Sequence, residues 1–271
     1  MAKLSLEFFL LSSRFLPVQE IIIDCDNFSQ SAFNGKSVKI LNWNIAKKNN
    51  NKIWKKDFLW ILESYNPDII CFQEACLNTK KNISFELESM GWNFAPNFFD
   101  AYQDHHCGIL TGSKVKPLAR TSILTQDYEP IAKTPKVSLI AEYPFLPNHK
   151  TLLVVNTHAI NFVELHKFRL QLQKIEEFIS KHNESIIISG DFNTWNQLRL
   201  DLLNQMAARL SLTNVTFTLA GKRKIKKFFF SPPLDHIYYR GLQEKKDSAI
   251  VLDQISSSDH KPMLVEFFIQ E

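Results

Sequence analysis

The chain has 271 residues, 45 % hydrophobic and 22 % charged, a composition that fits a folded domain and excludes disorder, collagen or coiled coil as whole-chain readings. Lys and Arg number 32 against 28 Asp and Glu, a formal charge of +4, which permits an anionic partner without requiring one. With 22 Phe and only 7 Gly the core is aromatic-rich, and left-handed backbone positions fall largely to Asn and Asp.

Residues 1–36 are weakly patterned and read as an N-terminal arm. Glu7 interrupts its apolar run, and Phe8–Leu11 is too short for a signal core or a membrane span, so the segment reads as a docking piece or loose arm. A turn at Phe33-Asn34-Gly35-Lys36 closes it. VKILNWNI, from Val38, reads as a strand, and Lys52–Tyr65 as a helix burying Trp54, Phe58, Ile61 and Leu62 before Pro67. DIICFQE is a second buried strand, with further strands at Cys107–Thr111, Val137–Tyr143 and Leu152–Asn156. Glu164–Lys181 is the clearest helix, with Leu165, Phe168, Leu172, Ile175 and Phe178 at steps of three or four. IIISGDFN runs from a buried strand into a polar tip, Gln197–Leu210 is helical, and Asp235–Tyr239 and Met263–Ile269 are late strands. No repeat or linker divides residues 37–271, so they read as one domain of face-to-face sheets flanked by helices.

The four cysteines form no Cys-x-x-Cys and no Cys/His spacing of a zinc site. Cys71 and Cys107 lie in apolar runs and read as buried free thiols of a reducing, cytoplasmic compartment, with pairing as the alternative.

Several apolar strands end in an acid, amide or histidine. Asn42 and Asn44 share one side of the first strand, and the second ends at Glu74. LLVVNTH ends at His158, and IIISGDFN carries Asp191 and Asn193. Asp235 and the pair Asp259-His260 follow late in the chain. Carboxylates converging at one sheet edge need a counter-charge, which a hard cation such as Mg²⁺ supplies to oxygen donors.

Asn44, Gln73-Glu74, Asn156-Thr157-His158, Gly190-Asp191-Phe192-Asn193, Leu234-Asp235 and Ser258-Asp259-His260 stand in the order of the endonuclease/exonuclease/phosphatase superfamily. The resemblance runs from Val38 to Phe268, and LNWNIAKKN, SGDFNTW and SDHKPMLVEF look like its bacterial YafD-like branch. It implies a DNase I-like α+β fold, a four-layer α/β/β/α sandwich of two mainly antiparallel sheets, and metal-dependent phosphoester hydrolysis.

By the same resemblance Glu74, Asn44 and Asp259 would hold Mg²⁺, with Mn²⁺ as the alternative. Asp191 would align or deprotonate the attacking water, Asn193 orient that water or the phosphate, and His260, oriented by Asp235, contact the scissile phosphate. His158 would protonate or polarise the leaving oxygen; the abasic-site enzymes of the superfamily carry Tyr there, so His158 points away from that role. Substrate contacts are expected from His106, Trp195 and Lys224. Lys222, Arg223, Lys224, Lys226 and Lys227 precede Phe228-Phe229-Phe230, a pattern that suits nucleic acid, a lipid surface or a solvated charge run. The expected activity is a phosphodiesterase, foremost a nuclease. The alternatives are a phospholipid or inositol-phosphate phosphoesterase and a catalytically silent binding module. No feature calls for an obligate protein partner.

Overall fold

A computed structural model describes residues 14–33, 36–78, 90–146 and 150–269. The expected arm segment Phe8–Leu11 and the turn positions Asn34 and Gly35 lie outside them. The chain opens with β1 (Phe15–Leu16), β2 (Ile23–Cys25), β3 (Ser37–Asn44), α1 (Lys52–Tyr65) and β4 (Ile69–Leu77). It continues through β5 (Gly91–Asp100), β6 (His105–Ser113), β7 (Ala119–Leu124), β8 (Val137–Pro144), β9 (Thr151–His158) and α2 (Leu165–Ile179). Next come β10 (Ser185–Asp191), α3 (Gln197–Arg209), β11 (Thr213–Asn214) and α4 (Leu219–Lys222). β12 (Asp235–Arg240), β13 (Leu242–Glu244), β14 (Ile250–Val251) and β15 (Met263–Ile269) complete the fold.

Two mixed sheets form the centre. One follows the order β1-β5-β6-β4-β3-β15-β13, with β2 on β5 and β14 on β15; the other is β11-β12-β10-β9-β8-β7. β3–β4 and β9–β10 are parallel and the other pairs antiparallel. Period-two alternation divides the side chains between layers. Val38, Ile40, Ile69, Leu152, Val154 and Ile187 meet between the sheets. Leu41, Trp43, Ile70 and Phe72 instead pack outward on Trp54, Phe58 and Ile61 of α1. Ile186, Ile188 and Val155 pack outward on Phe168, Leu172 and Ile175 of α2 and Leu203 and Met206 of α3. The result is the four-layer α/β/β/α sandwich.

Local chemistry sets the helix ends. The Asn51 side chain accepts from the Ile53 amide at 2.7 Å, and Asn66 ends α1 in the left-handed region at φ 44°. In α2 the inward position is Ile179 rather than Phe178, which is exposed, because 3.6 residues per turn returns Ile179 to the face of Leu172. β5 and β7 escaped the sequence reading. In β5 a register shift between Pro96 and Phe98 breaks the alternation that reveals a strand.

Cys107 is not a free thiol: it is disulfide-bonded to Cys76, directly across the β4–β6 pair. Alternation on single strands cannot reveal this pairing, and the inference of a reducing compartment loses its premise. Cys71 is free and buried, and burial pushes its thiol pKa up.

Candidate active site

The inner face between the sheets changes character along the strands. β3 passes from Val38 and Ile40 to Asn42 and Asn44, β9 from Leu152 and Val154 to Asn156 and His158. β10 passes from Ile187 to Ser189 and Asp191. An amide network marks the boundary. Gln73 donates to Asn42 Oδ1 at 3.0 Å and to Asn156 Oδ1 at 2.8 Å, while Asn156 donates to the Leu110 carbonyl at 2.9 Å. Beyond it lies a cleft.

Register aligns one wall of that cleft. Asp191 at the end of β10 stands opposite His158 of β9 on one side and Asp235 of β12 on the other. His158 Nε2 lies 3.6 Å from Asp191 Oδ2. The approach of β10 to β9 depends on Gly190, where a Cβ would run into the Thr157 carbonyl. The other sheet supplies Asn44, Glu74 and His260. Asn44 Nδ2 donates to Asp191 Oδ2 at 2.9 Å, and Ser258 Oγ donates to the Asn44 carbonyl at 2.7 Å. Trp43 Nε1 donates to the His260 carbonyl at 3.0 Å. These bonds seat His260 against β3, with Nδ1 2.8 Å from Asp235 Oδ2 and Nε2 3.8 Å from Asp191 Oδ2.

Glu74 reaches the cleft through an irregularity. Gln73 faces the inter-sheet network, so strict alternation would turn Glu74 toward the helix layer. A register shift between Phe72 and Ala75, with Glu74 itself at φ 54°, re-aims it. Its carboxylate then sits 2.9 Å from Lys47 Nζ and 4.0 Å from His158 Nε2. Asn193, past the end of β10, is likewise left-handed at φ 50°. Its amide donates to Asp191 Oδ1 at 2.9 Å and its side chain to the Ala159 carbonyl at 2.8 Å.

The electrostatics separate these groups. Burial pushes the Asp191 carboxyl up, against the pull of His260, and Asp235 pushes the same way as burial. Burial alone would lower the His260 pKa, but Asp235 and Asp191 hold the imidazolium to about 10. Burial and Lys136 keep His158 well below the usual histidine range. Burial opposes ionisation of Glu74, yet Lys47, His158 and Lys136 hold its pKa below the usual carboxylate range.

Asp259 lines the cleft in an ion pair with Lys226 at 2.9 Å. Asn44 and Asp235 lie beneath the lining, behind Asp191 and His260. Trp195 stands at the rim, its ring stacked 6.1 Å from Phe162, which lines the cleft together with Phe228. His106 and Lys224 are outside the lining. His106 alternates away from Cys107 and its ring rests 5.0 Å from Phe99, while Lys224 pairs with Asp253 at 2.7 Å.

Sequence reasoning missed the supports. Arg199 of α3 is buried; its Nε donates to the Asn193 carbonyl at 2.7 Å and its guanidinium also reaches the Ile160 carbonyl. Gln171 of α2 accepts from the Ile160 amide and donates to the His158 carbonyl. An arginine and a glutamine on helix faces look like surface residues in sequence, and nothing there marks them as clamps.

The family model for the Endonuclease/Exonuclease/phosphatase family matches residues 41–260. The chain belongs to this family. As an endonuclease/exonuclease/phosphatase-family protein it is a metal-dependent hydrolase of phosphoester bonds. Its fold is similar to the catalytic domain of human Nocturnin with bound sulfate (TM-score 0.65, 18 % identity, 93 % of this chain and 98 % of that one). It is also similar to D. rerio TDP2 with a single-strand DNA product (0.60, 17 %, 86 % and 99 %) and to a Bacteroides thetaiotaomicron mannosyl-6-phosphatase (0.59, 14 %, 86 % and 100 %). The donor set fits the family's divalent ion. The carboxylates of Glu74, Asp191 and Asp259 line the same cleft and offer the hard oxygen donors such an ion takes.

Proposed function

We propose that this chain is a Mg²⁺-dependent phosphodiesterase acting on nucleic acid by in-line attack of water, from the YafD-like branch of the family. The observation that carries it is the cleft itself, where carboxylates, two histidines of opposite charge preference and three lysines meet beneath an aromatic rim. Glu74, Asn44 and Asp259 would hold the ion, which when bound supplies Lewis-acid stabilisation of a phosphate oxygen. Asp191, with its raised pKa, accepts a proton from water near neutral pH. Asn193 fixes the Asp191 carboxylate by its amide. His260, held cationic and oriented by Asp235, stabilises charge on the phosphoryl oxygens. His158 is held neutral, so of its two expected roles it takes the polarising one, as a hydrogen-bond donor to the leaving oxygen. Phe162, Trp195 and Phe228 offer faces on which bases stack, and Lys47, Lys136 and Lys226 complement a polyanion.

Hydrolysis of DNA, RNA and a chromogenic phosphodiester with and without Mg²⁺ tests this reading. Activity is expected to need the ion and to vanish in Asp191→Ala and His260→Ala; full activity in both variants would overturn the assignment. One observation favours a phospholipid substrate instead. Phe229 and Phe230 are 90 % and 93 % exposed beside the basic run. Sedimentation with anionic liposomes, compared between the parent and Lys224 and Phe229 variants, separates the two.

A further inference from the structure

We propose a second metal site behind the wall of the cleft, formed by Cys76, Cys107 and His105, that takes a soft divalent ion such as Zn²⁺ when the disulfide is reduced. Cys76 and Cys107 are opposed on antiparallel β4 and β6, their Cα atoms 4.2 Å apart. His105 precedes Cys107 by two residues on β6 and shares its face. The two sulfurs and an imidazole nitrogen all lie within 4.8 Å of one another. Sulfur and imidazole in tetrahedral Zn²⁺ sites have about this spacing, given Zn–S of about 2.3 Å and Zn–N of about 2.0 Å.

Two further observations point to a ligand. All three residues are buried, the cysteines at 1 % exposure and His105 at 9 %. His105 Nε2 is buried without a hydrogen-bond partner, a costly state for a polar atom in a folded core. Phe15 and Phe98 pack on the two cysteines, and Asp100, opposite His105 across β5 and β6, is engaged by Arg14 at 2.7 Å. The two centres would therefore sort ions by softness, with oxygen donors in the cleft and thiolates here.

The chemistry balances. A dithiol reductant transfers two electrons and two protons to the Cys76–Cys107 bond, giving two thiols and a cyclic disulfide on the reductant. Zn²⁺ then binds both sulfurs and the imidazole and releases the two thiol protons to solvent, leaving a fourth position for water. Either the disulfide or the ion staples β4 to β6, two residues beyond Glu74. Asn49, which donates to the Cys76 carbonyl at 2.5 Å and accepts from the Cys76 amide at 3.0 Å, ties the same segment to the loop carrying Lys47.

Co²⁺ is the probe, because thiolate-to-cobalt charge transfer gives an absorption that oxygen-ligated Co²⁺ lacks. The full-length protein is reduced with dithiothreitol, desalted anaerobically and titrated with Co²⁺. The band is expected at one ion per chain in the reduced protein, to be displaced by Zn²⁺, and to be absent from the oxidised protein. Glu74→Gln is expected to keep it, which separates this site from the cleft. Cys107→Ser is expected to lose it. His105→Gln, which leaves both sulfurs and their strands in place, is expected to weaken Co²⁺ binding by more than the roughly 10–100-fold typical of losing a supporting partner. No band in the reduced parent, or an undiminished band in His105→Gln, would overturn the proposal.

Discussion

The Asp235–His260 pair shows how a single contact sets both charge and stability. The imidazole gains a carboxylate at 2.8 Å, and its pKa rises from 6.5 to about 10. A group whose folded pKa is raised stabilises the fold fully below its unfolded value, so this contribution is complete below about pH 6.5 and fades as pH climbs through about 10. Asp235→Asn is expected to cost about 3–5 kcal/mol near pH 6, the usual cost of breaking a buried pair, and to flatten the pH dependence of stability between those limits. Urea denaturation across a pH series measures both. Asp191 carries the opposite sign. Burial raises its pKa, so its ionised form weighs against folding at neutral pH. Asp191→Asn is therefore expected to lower kcat by about 10²–10⁴-fold while leaving the thermal midpoint unchanged or higher, as read by parallel assay and calorimetry. The types of these residues were legible in sequence, because an acid or imidazole after an apolar run stands out. The aim of Glu74 was not: alternation points it the wrong way, and only the strand irregularity turns it inward.

At the scale of elements, the helices of the second sheet do more than cover it. Arg199 on α3 joins the Asn193 and Ile160 carbonyls, the segments that follow β10 and β9, while its guanidinium lies 3.9 Å over the Phe168 ring of α2. One side chain thus locks two active-site loops to two helices. Arg199→Ala strands two buried carbonyls and is expected to cost about 2–6 kcal/mol, and to lower kcat among the molecules that stay folded. Arg199→Lys, which cannot span both acceptors, should rescue little. Denaturation midpoints and kcat against KM check this. The helices α1, α2 and α3 could be read from their apolar periodicity to within a residue or two. The edge strands β1, β2, β7 and the interrupted β5 could not, since short or irregular strands carry too few alternating positions.

For the molecule as a whole, the disulfide closes a separation of 31 residues between β4 and β6. Chain-entropy arguments give such a closure about 3–4 kcal/mol. Reduction under metal-free conditions is expected to lower the thermal midpoint accordingly, with no change in a Cys107→Ser variant, as measured by scanning calorimetry with and without reductant. The same whole-molecule view explains the site. Two sheets that are apolar where they first meet become polar at one end, and the cleft forms where burial stops being favourable without a partner.

The layers, the family motifs and the chemical types gathered at the strand ends were all legible along the chain. Those depend on period and composition, which are properties of consecutive residues. Which groups touch came from the folded arrangement: Asp191 between His158 and Asp235, Glu74 turned by a bulge, Cys76 against Cys107, Arg199 under two loops. Each of those contacts arises from strand register or from close approach between elements distant in the chain. Register is set by the packing of the whole core rather than by any local run of residues.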